Sequence, residues 1–250
     1  MDWTDALIVI GAGFGAGFIN TLAGGGSLIT LPVLIFLGLP PAVANASNRV
    51  AIFAQNIFGV LGFKSKGVSA FPFSIWLSLS ALLGAILGAE LAIEIKGEIF
   101  NKILAVVMIV VVFFTIFSPN YNPDEILERT GKKHTVISVL LFFLVGIWGG
   151  FIQAGVGFLI IAVLTSVNRF SLVKSNSIKV FVVLVYTVAA LVVFIIGGKI
   201  NWLYGLVLAV GNSAGGWVAS RWSVEKGDKW VRVFLVVTVV ALAVRLWFFG

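Results

Sequence analysis

Apolar runs of about 20 residues, the length that carries a helix across a hydrocarbon layer roughly 30 Å thick, recur along this chain. They predict spans at 43–63, 71–93, 99–117, 134–152, 172–196, 201–219 and 229–248. Two apolar pieces do not fit this scheme. Residues 5–37 and 134–168 are each too long for one straight crossing and too short for two full ones. Small residues break each of them: Ala23-Gly24-Gly25-Gly26-Ser27 in the first and Ala154-Gly155-Val156-Gly157 in the second. Each predicts a longer helix followed by a short one, at 28–37 and 158–167, with the break inside the protein. The one substantial hydrophilic stretch, 118–133, opens on Ser118-Pro119 and carries Asp124, Glu125, Glu128, Arg129, Lys132 and Lys133. It predicts a hinge.

The pattern is written twice. Gly17-Phe18-Ile19-Asn20 matches Gly150-Phe151-Ile152-Gln153, and the run through Asn45, Ser47, Asn48 and Arg49 matches Ser175, Ser177, Ile178 and Lys179. Gly84 and Gly88 fall on Gly211 and Gly215, and Gly97-Glu98 on Gly227-Asp228. The expected organisation is a repeat over 1–118, a hydrophilic linker over 119–133 and a second repeat over 134–250. The fold class is an all-α polytopic membrane protein of two homologous helical repeats, each with a glycine-broken segment and a short helix. Paired apolar halves with broken segments at matching places are the pattern of a secondary transporter whose site lies between the repeats. A bundle duplicated only for stability is the plainer reading, but it gives no reason for glycine breaks inside membrane helices.

Composition sets the solvent. The 250 residues are 60% hydrophobic and 11% charged, with a mean hydropathy of +1.13, too little polar surface to cover a soluble globule. Lipid must solvate the chain. With no cysteine, disulfides and thiolate chemistry are ruled out. The formal charge of +7 does not point to nucleic acid, because most Lys and Arg sit at the ends of apolar runs, where they anchor and orient helices. The start, Met1-Asp2-Trp3-Thr4-Asp5, is acidic where a secretory signal is basic, so the first run reads as a retained span.

Topology depends on how the broken pieces are counted. Taken as one net crossing each, they collect Arg49, Lys96, Lys102, Arg169, Lys174, Lys179, Arg221, Lys226, Lys229 and Arg232 on a cytoplasmic side. Lys64, Lys66, Arg129, Lys132, Lys133, Lys199 and Arg245 then lie opposite, with Asp2 and Asp5, and the halves are parallel. Counting the short helices separately gives five segments per half and an inverted pair. The sequence is compatible with both.

Backbone freed at a break must find partners in protein or water. Gly24, Gly25 and Gly26, and Gly155 and Gly157, are therefore expected to line a cavity, with Ser27 at the restart of a helix whose unpaired N–H groups favour an anion. Gly84-xxx-Gly88 and Gly211-xxx-Gly215 read instead as helix contacts. Asn45, Asn48, Arg49, Gln55 and Asn56 lie on adjoining faces of one helix, and the matching helix carries Lys174, Ser175, Asn176, Ser177 and Lys179. A cation recurring at Arg49 and Lys179 marks a substrate path, with snorkelling at a helix start as the alternative. Asn20 and Gln153, just before the breaks, can donate hydrogen bonds without adding charge, and Asn212 and Ser213 add donors. Glu90 is the candidate carboxyl for coupling to protons, although Trp217 stands at its place in the second copy and a helix-end position is the alternative. The single histidine, His134, reads as a surface residue.

No nucleophile–base set, carboxylate dyad, metal motif or phosphate loop is present. An enzyme, a nucleotide site and a cofactor or metal are not expected. A cation carrier would want inward carboxylates, and a scaffold or sensor would be indifferent to Arg49 and Lys179. The reading favoured is a carrier of a small anionic substrate in the bilayer, with protons as a candidate coupling ion and no nucleic-acid partner. The oligomeric state is left open.

The stretch from Gly11 to Leu34, with its Gly24-Gly25-Gly26-Ser27 run and Leu31-Pro32-Val33-Leu34, followed by Pro41-Ala42-Val43-Ala44-Asn45-Ala46-Ser47, resembles the TauE/SafE family of sulfite exporter-like permeases. The duplicated layout extends the likeness over nearly the whole chain. The resemblance implies a multi-pass inner-membrane permease of two homologous halves that moves sulfur-containing anions such as sulfite or sulfonates. The second copy departs from the pattern, since Val156 interrupts its glycines and it lacks the Pro-Val-Leu element. The two sites are thus expected to be inequivalent.

Overall fold

A computed structural model describes residues 1–100, 102, 103, 106 and 128–249. Most of the span expected at 99–117 and most of the linker lie outside them. Every regular element among the described residues is helical. α1 is Trp3–Leu22, α2 Ser27–Phe36, α3 Pro41–Ser65 and α4 Ser74–Glu94. α5 is Lys132–Phe151, α6 Val156–Ser166, α7 Leu172–Ile196 and α8 Trp202–Phe249. Among the described helices, α1, α4, α5 and α7 are long and apolar enough to cross a membrane. α3 is as long as α7, 25 residues each, but carries the polar stripe. Bulky side chains such as Leu7, Phe36, Trp76, Leu83, Leu140 and Ile196 are exposed, as the outer surface of a protein solvated by lipid requires.

The helix ends follow local chemistry. Asp2 and Asp5 close a reciprocal capping box on α1, which offsets the positive end of that helix. Pro41 opens α3, where its missing N–H is no loss. α8 is interrupted at Gly227, whose φ of 73° and ψ of −179° are non-helical. The turn brings the Asp228 carboxylate onto the N-terminus of α7, where it accepts from Leu172 N at 2.8 Å and Val173 N at 2.9 Å.

Helix directions can be read from close contacts. Gly211 and Gly215 of α8 lie against Ile10 and Phe14 of α1, so these helices run the same way. Ser47 meets Gly205 and Gly62 meets Ser220, which gives α3 that direction too. Gly84 and Gly88 of α4 lie against Phe143 and Ile147 of α5, and those two run together. α7 runs opposite to α3, since Gly59 is beside Val180 while Arg49 lies over Phe194. The small residues let backbones approach closely, which is how helices associate where burial from water offers no drive.

The broken pieces fold back on themselves. Gly26 rests on Ala16 and Asn20 of α1, whereas Leu34 shares a core cluster with Val9, so α2 returns along α1. Likewise Asn168, just past α6, reaches Ser138 of α5 at 2.8 Å. The α1–α2 hairpin enters from one side and the α5–α6 hairpin from the other. Their apexes meet: a Cβ on Gly24 would run into the Cα of Gly157, and one on Gly25 would lie 2.9 Å from the Phe158 ring.

The one-crossing count of positive charges does not survive. It separates Lys66 from Arg221 and Lys226, yet Lys66 pairs with Glu225 at 2.6 Å and Arg221 reaches Ser65 at 3.5 Å. It also separates Lys174 from Arg129, yet Lys174 pairs with Glu128 at 2.7 Å. The reason is that each broken piece goes in and comes back. One end of the bundle thus carries Lys64, Lys66, Arg129, Lys132, Lys133, Arg169, Lys174, Arg221, Lys226 and Lys229, and the other Lys96, Lys102, Lys199, Asp2 and Asp5.

Candidate functional site

A helix that ends inside a membrane protein leaves its last carbonyls without partners, and both hairpins end a helix there. At α5 the partners come from α3. The Arg49 guanidinium donates through Nη1 to Gly149 O and to Gln153 Oε1 at 2.7 Å, and through Nη2 to Gly150 O at 2.8 Å. Asn45, one turn earlier, donates to Phe151 O at 2.9 Å. At α1 the partners come from α7: Lys179 donates to Thr21 O at 2.8 Å and Asn176 to Leu22 O at 3.0 Å. Asn176 Oδ1 in turn accepts from Lys179 at 2.7 Å. Each cation therefore holds the negative end of the broken helix belonging to the other hairpin, a favourable place for positive charge. Both cations are buried, Arg49 at 0% and Lys179 at 2% exposure.

Neutral groups complete two clusters. In one, Tyr186 Oη donates to Gln153 Oε1 at 3.0 Å, and Arg49 lies 5.6 Å above the Phe194 ring. In the other, Gln55 Oε1 accepts from Asn20 at 3.2 Å and Asn212 at 3.3 Å, while its Nε2 donates to Thr21 at 3.4 Å. Between them Asn48 ties α3 to the start of α2, donating to Ser27 Oγ at 3.2 Å and accepting from Thr30 at 2.8 Å.

The helix restarts are left uncapped by side chains: the N-caps of α2 and α6 are Gly26 and Gly155. The amides of Gly25, Gly26, Ser27 and Gly157 have no acceptor among the described residues. Arg49 Nε, Asn45 Oδ1 and Asn212 Oδ1 are likewise buried and unpartnered. The charge balance is one-sided: no Asp or Glu is buried among the described side chains, and the ion pairs Lys66–Glu225, Lys102–Glu98 and Lys174–Glu128 join partly or largely exposed side chains.

Of the residues singled out by sequence, Asn20, Gly24, Gly25, Gly26, Ser27, Asn45, Asn48, Arg49, Gln153, Gly155, Gly157, Asn176 and Lys179 are gathered around the two apexes. Glu90 is not. It lies on the exposed face of α4. Asn20 and Gln153 align in sequence but differ in backbone, since Asn20 is still helical whereas Gln153 stands in the break at a φ of 62°. The caps also differ by one residue, Asn45 with Arg49 at i,i+4 and Asn176 with Lys179 at i,i+3, and both spacings share a helix face. Tyr186, Thr21 and Thr30 escaped sequence reasoning. The usable signal for Tyr186 was its rarity, one of 3 tyrosines in the chain, placed mid-span in α7.

A chain of apolar helices with two opposed hairpins and a polar, cation-bearing centre belongs among multi-pass membrane transporters, and comparison with known proteins agrees. The family described as "Sulfite exporter TauE/SafE" matches residues 9–246, and the chain belongs to it. A "probable membrane transporter protein ORF9" of Sinorhizobium sp is 29% identical over 94% of this chain and 89% of its own length. A "probable membrane transporter protein" of Haemophilus influenzae is 25% identical over 96% and 93%. The "probable membrane transporter protein YfcA" of Escherichia coli K12 is 26% identical over 92% and 85%. These names indicate a transporter, not an enzyme. No solved structure matches the chain.

Proposed function

We propose that this protein is a secondary transporter of sulfur-containing anions (sulfite, a sulfonate or a related organosulfur anion) that works by alternating access from a site between two inverted repeats. One observation carries the reading: two fully buried cations face each other's hairpins with no buried carboxylate among the described side chains to balance them. Buried charge needs a counter-charge, and a small anion supplies it. The unpartnered amides at Ser27 and Gly157 and the free Arg49 Nε–H form donor surfaces for an oxyanion, whose several oxygens accept from many directions. The lengths of α1, α2 and α3, 20, 10 and 25 residues, against 20, 11 and 25 for α5, α6 and α7, support the two-repeat division around a linker at 119–133.

In the arrangement described, Arg49 and Lys179 are engaged by helix carbonyls. An anion arriving between the apexes competes for those donors, loosens each cation's hold on the opposite hairpin, and so couples occupancy to rocking of one half against the other. The cation-rich end faces the cytoplasm of a cell whose inner membrane the protein spans. An anion leaving a negative interior moves down the potential, and proton coupling is a second drive. The experiment is a thermal-shift screen of sulfite, sulfate, thiosulfate, small sulfonates and small carboxylates on purified protein, followed by flux in proteoliposomes. Stabilisation by the sulfur oxyanions, lost in Arg49→Gln and kept in Lys64→Gln, supports the reading. Stabilisation by carboxylates alone moves it to another anion, and no response to any anion overturns it.

A further inference from the structure

We propose that the outer face of the α3–α8 pair is a binding site for one anionic phospholipid, its acyl chain in an apolar groove and its phosphate at the cationic end. The groove has a volume of about 820 Å³ and runs between Phe58 and Leu61 of α3 and Leu206, Val210, Ala214 and Trp217 of α8. Phe58, Leu61, Leu206 and Val210 are 44–61% exposed. From residue 206 to 217 the helical rise is about 17 Å, close to half of a hydrocarbon core roughly 30 Å thick. The groove is as deep as one leaflet.

Its end is chemically distinct. Trp217 closes the apolar run, and the Arg221 guanidinium lies 5.3 Å over its ring with Nη1 3.5 Å from Ser65 Oγ. An indole beside a guanidinium is the pairing found at the headgroup level of a bilayer. Lys64, Lys66 and Lys226 lie at the same end with Glu225, which pairs with Lys66 at 2.6 Å. Four cations against one carboxylate leave a net charge of +3, which complements a phospholipid of net negative charge and not a zwitterionic one. This end belongs to the cation-rich side of the bundle, where anionic lipid of a cytoplasmic leaflet would present itself. The groove lies apart from Arg49 and Lys179, so this site stands whether or not the transported anion is the one proposed above.

The experiment reconstitutes the full chain in phosphatidylcholine vesicles carrying a minor fraction of brominated phosphatidylglycerol or brominated phosphatidylcholine. The Trp217 contribution to fluorescence quenching is isolated by subtracting Trp217→Phe. Quenching by the brominated phosphatidylglycerol is expected to exceed that by the zwitterionic lipid, with the preference falling about fivefold for each cation removed in Arg221→Gln and Lys64→Gln. Ala214→Phe, at an exposed position, fills the groove and is expected to abolish the quenching difference with the bundle intact. Equal quenching by the two lipids, or a preference untouched by the cation variants, overturns the proposal. So does light scattering that shows a dimer in wild type and a monomer in Ala214→Phe, which would make the groove a contact between copies of this chain.

Discussion

The two hairpin apexes solve one problem with different side chains. At the α5 apex, a planar guanidinium spans Gly149 O, Gly150 O and the Gln153 amide at once. At the α1 apex, the Lys179 ammonium is a point charge shared between Thr21 O and Asn176. The backbones diverge as well. The first apex turns on Gly24 at a φ of 94°, the second on Gln153 at 62° and Gly155 at 71°. A non-glycine residue with φ in this range carries local strain, and the Gln153 amide is held there by Arg49 and Tyr186 together. The turn residue of the second apex, Gln153, is thus fixed by side-chain hydrogen bonds, while that of the first, Gly24, is fixed by its close approach to the Gly157 backbone. The two ends of the proposed site should therefore fail in different ways.

The largest effect is expected at the shape-dependent apex. Gly24→Ala places a Cβ against the Gly157 backbone at a φ that disfavours any side chain, and neither backbone can give way. Overpacking and strain together should cost about 2–4 kcal/mol, read as a fall in melting temperature in detergent, with flux abolished. Gly25→Ala is the control. Its Cβ meets the edge of the Phe158 ring at 2.9 Å, which can rotate, so stability should change by less than about 1 kcal/mol. Equal losses in the two variants would mean that contact between the apexes does not hold the hairpins together.

At the second apex the sensitive feature is geometry, not charge alone. Arg49→Lys keeps the cation but cannot bridge two carbonyls and the Gln153 amide. Losing two of three charge-assisted bonds in a buried site should weaken anion binding about tenfold or more. Lys179→Arg retains charge, and its cost arises only from the larger head. A ratio of binding losses above one for Arg49→Lys over Lys179→Arg sharpens the contrast, and a ratio below one reverses it. Tyr186→Phe removes one hydroxyl from the same network and should cost about 1 kcal/mol in stability. The first apex offers no equivalent, because the hub there is Gln55.

How far this could be read in advance depends on the range of the interaction. The glycine breaks, the short helices and the inward stripe on α3 are local, set by composition within one or two turns, and the structure places them within a residue or two of expectation. The i,i+4 spacing of Asn45 and Arg49 already put both on one helix face. What they hold was not legible. Asn45 meets Phe151 across 106 positions and Lys179 meets Thr21 across 158, and no pattern in a single sequence encodes such a pairing. The direction of each broken piece was equally hidden, because length alone does not tell a helix that continues from one that folds back. Of the two counts the sequence allows, the one that lets each piece continue puts Lys174, Arg221 and Lys226 on the wrong side. Tyr186 is not legible because an aromatic residue in an apolar run reads as packing, and its hydroxyl's partner, Gln153, lies 33 positions away.

The smallest effect belongs to Glu90, the one carboxyl that sequence offered for proton coupling. It stands on the exposed face of α4, two residues past Gly88, whose own face packs on Ile147 of α5. Those positions are about 200° apart on a helix that turns every 3.6 residues, so the contact that fixes Gly88 points Glu90 away from Arg49 and Lys179. Glu90→Gln should leave both the rate and the pH dependence of flux unchanged, and its stability should stay within about 0.5 kcal/mol of wild type. If flux instead loses its pH dependence in that variant, a proton path runs along the outside of α4, and the contrast between the two apexes would no longer be enough to explain how transport is driven.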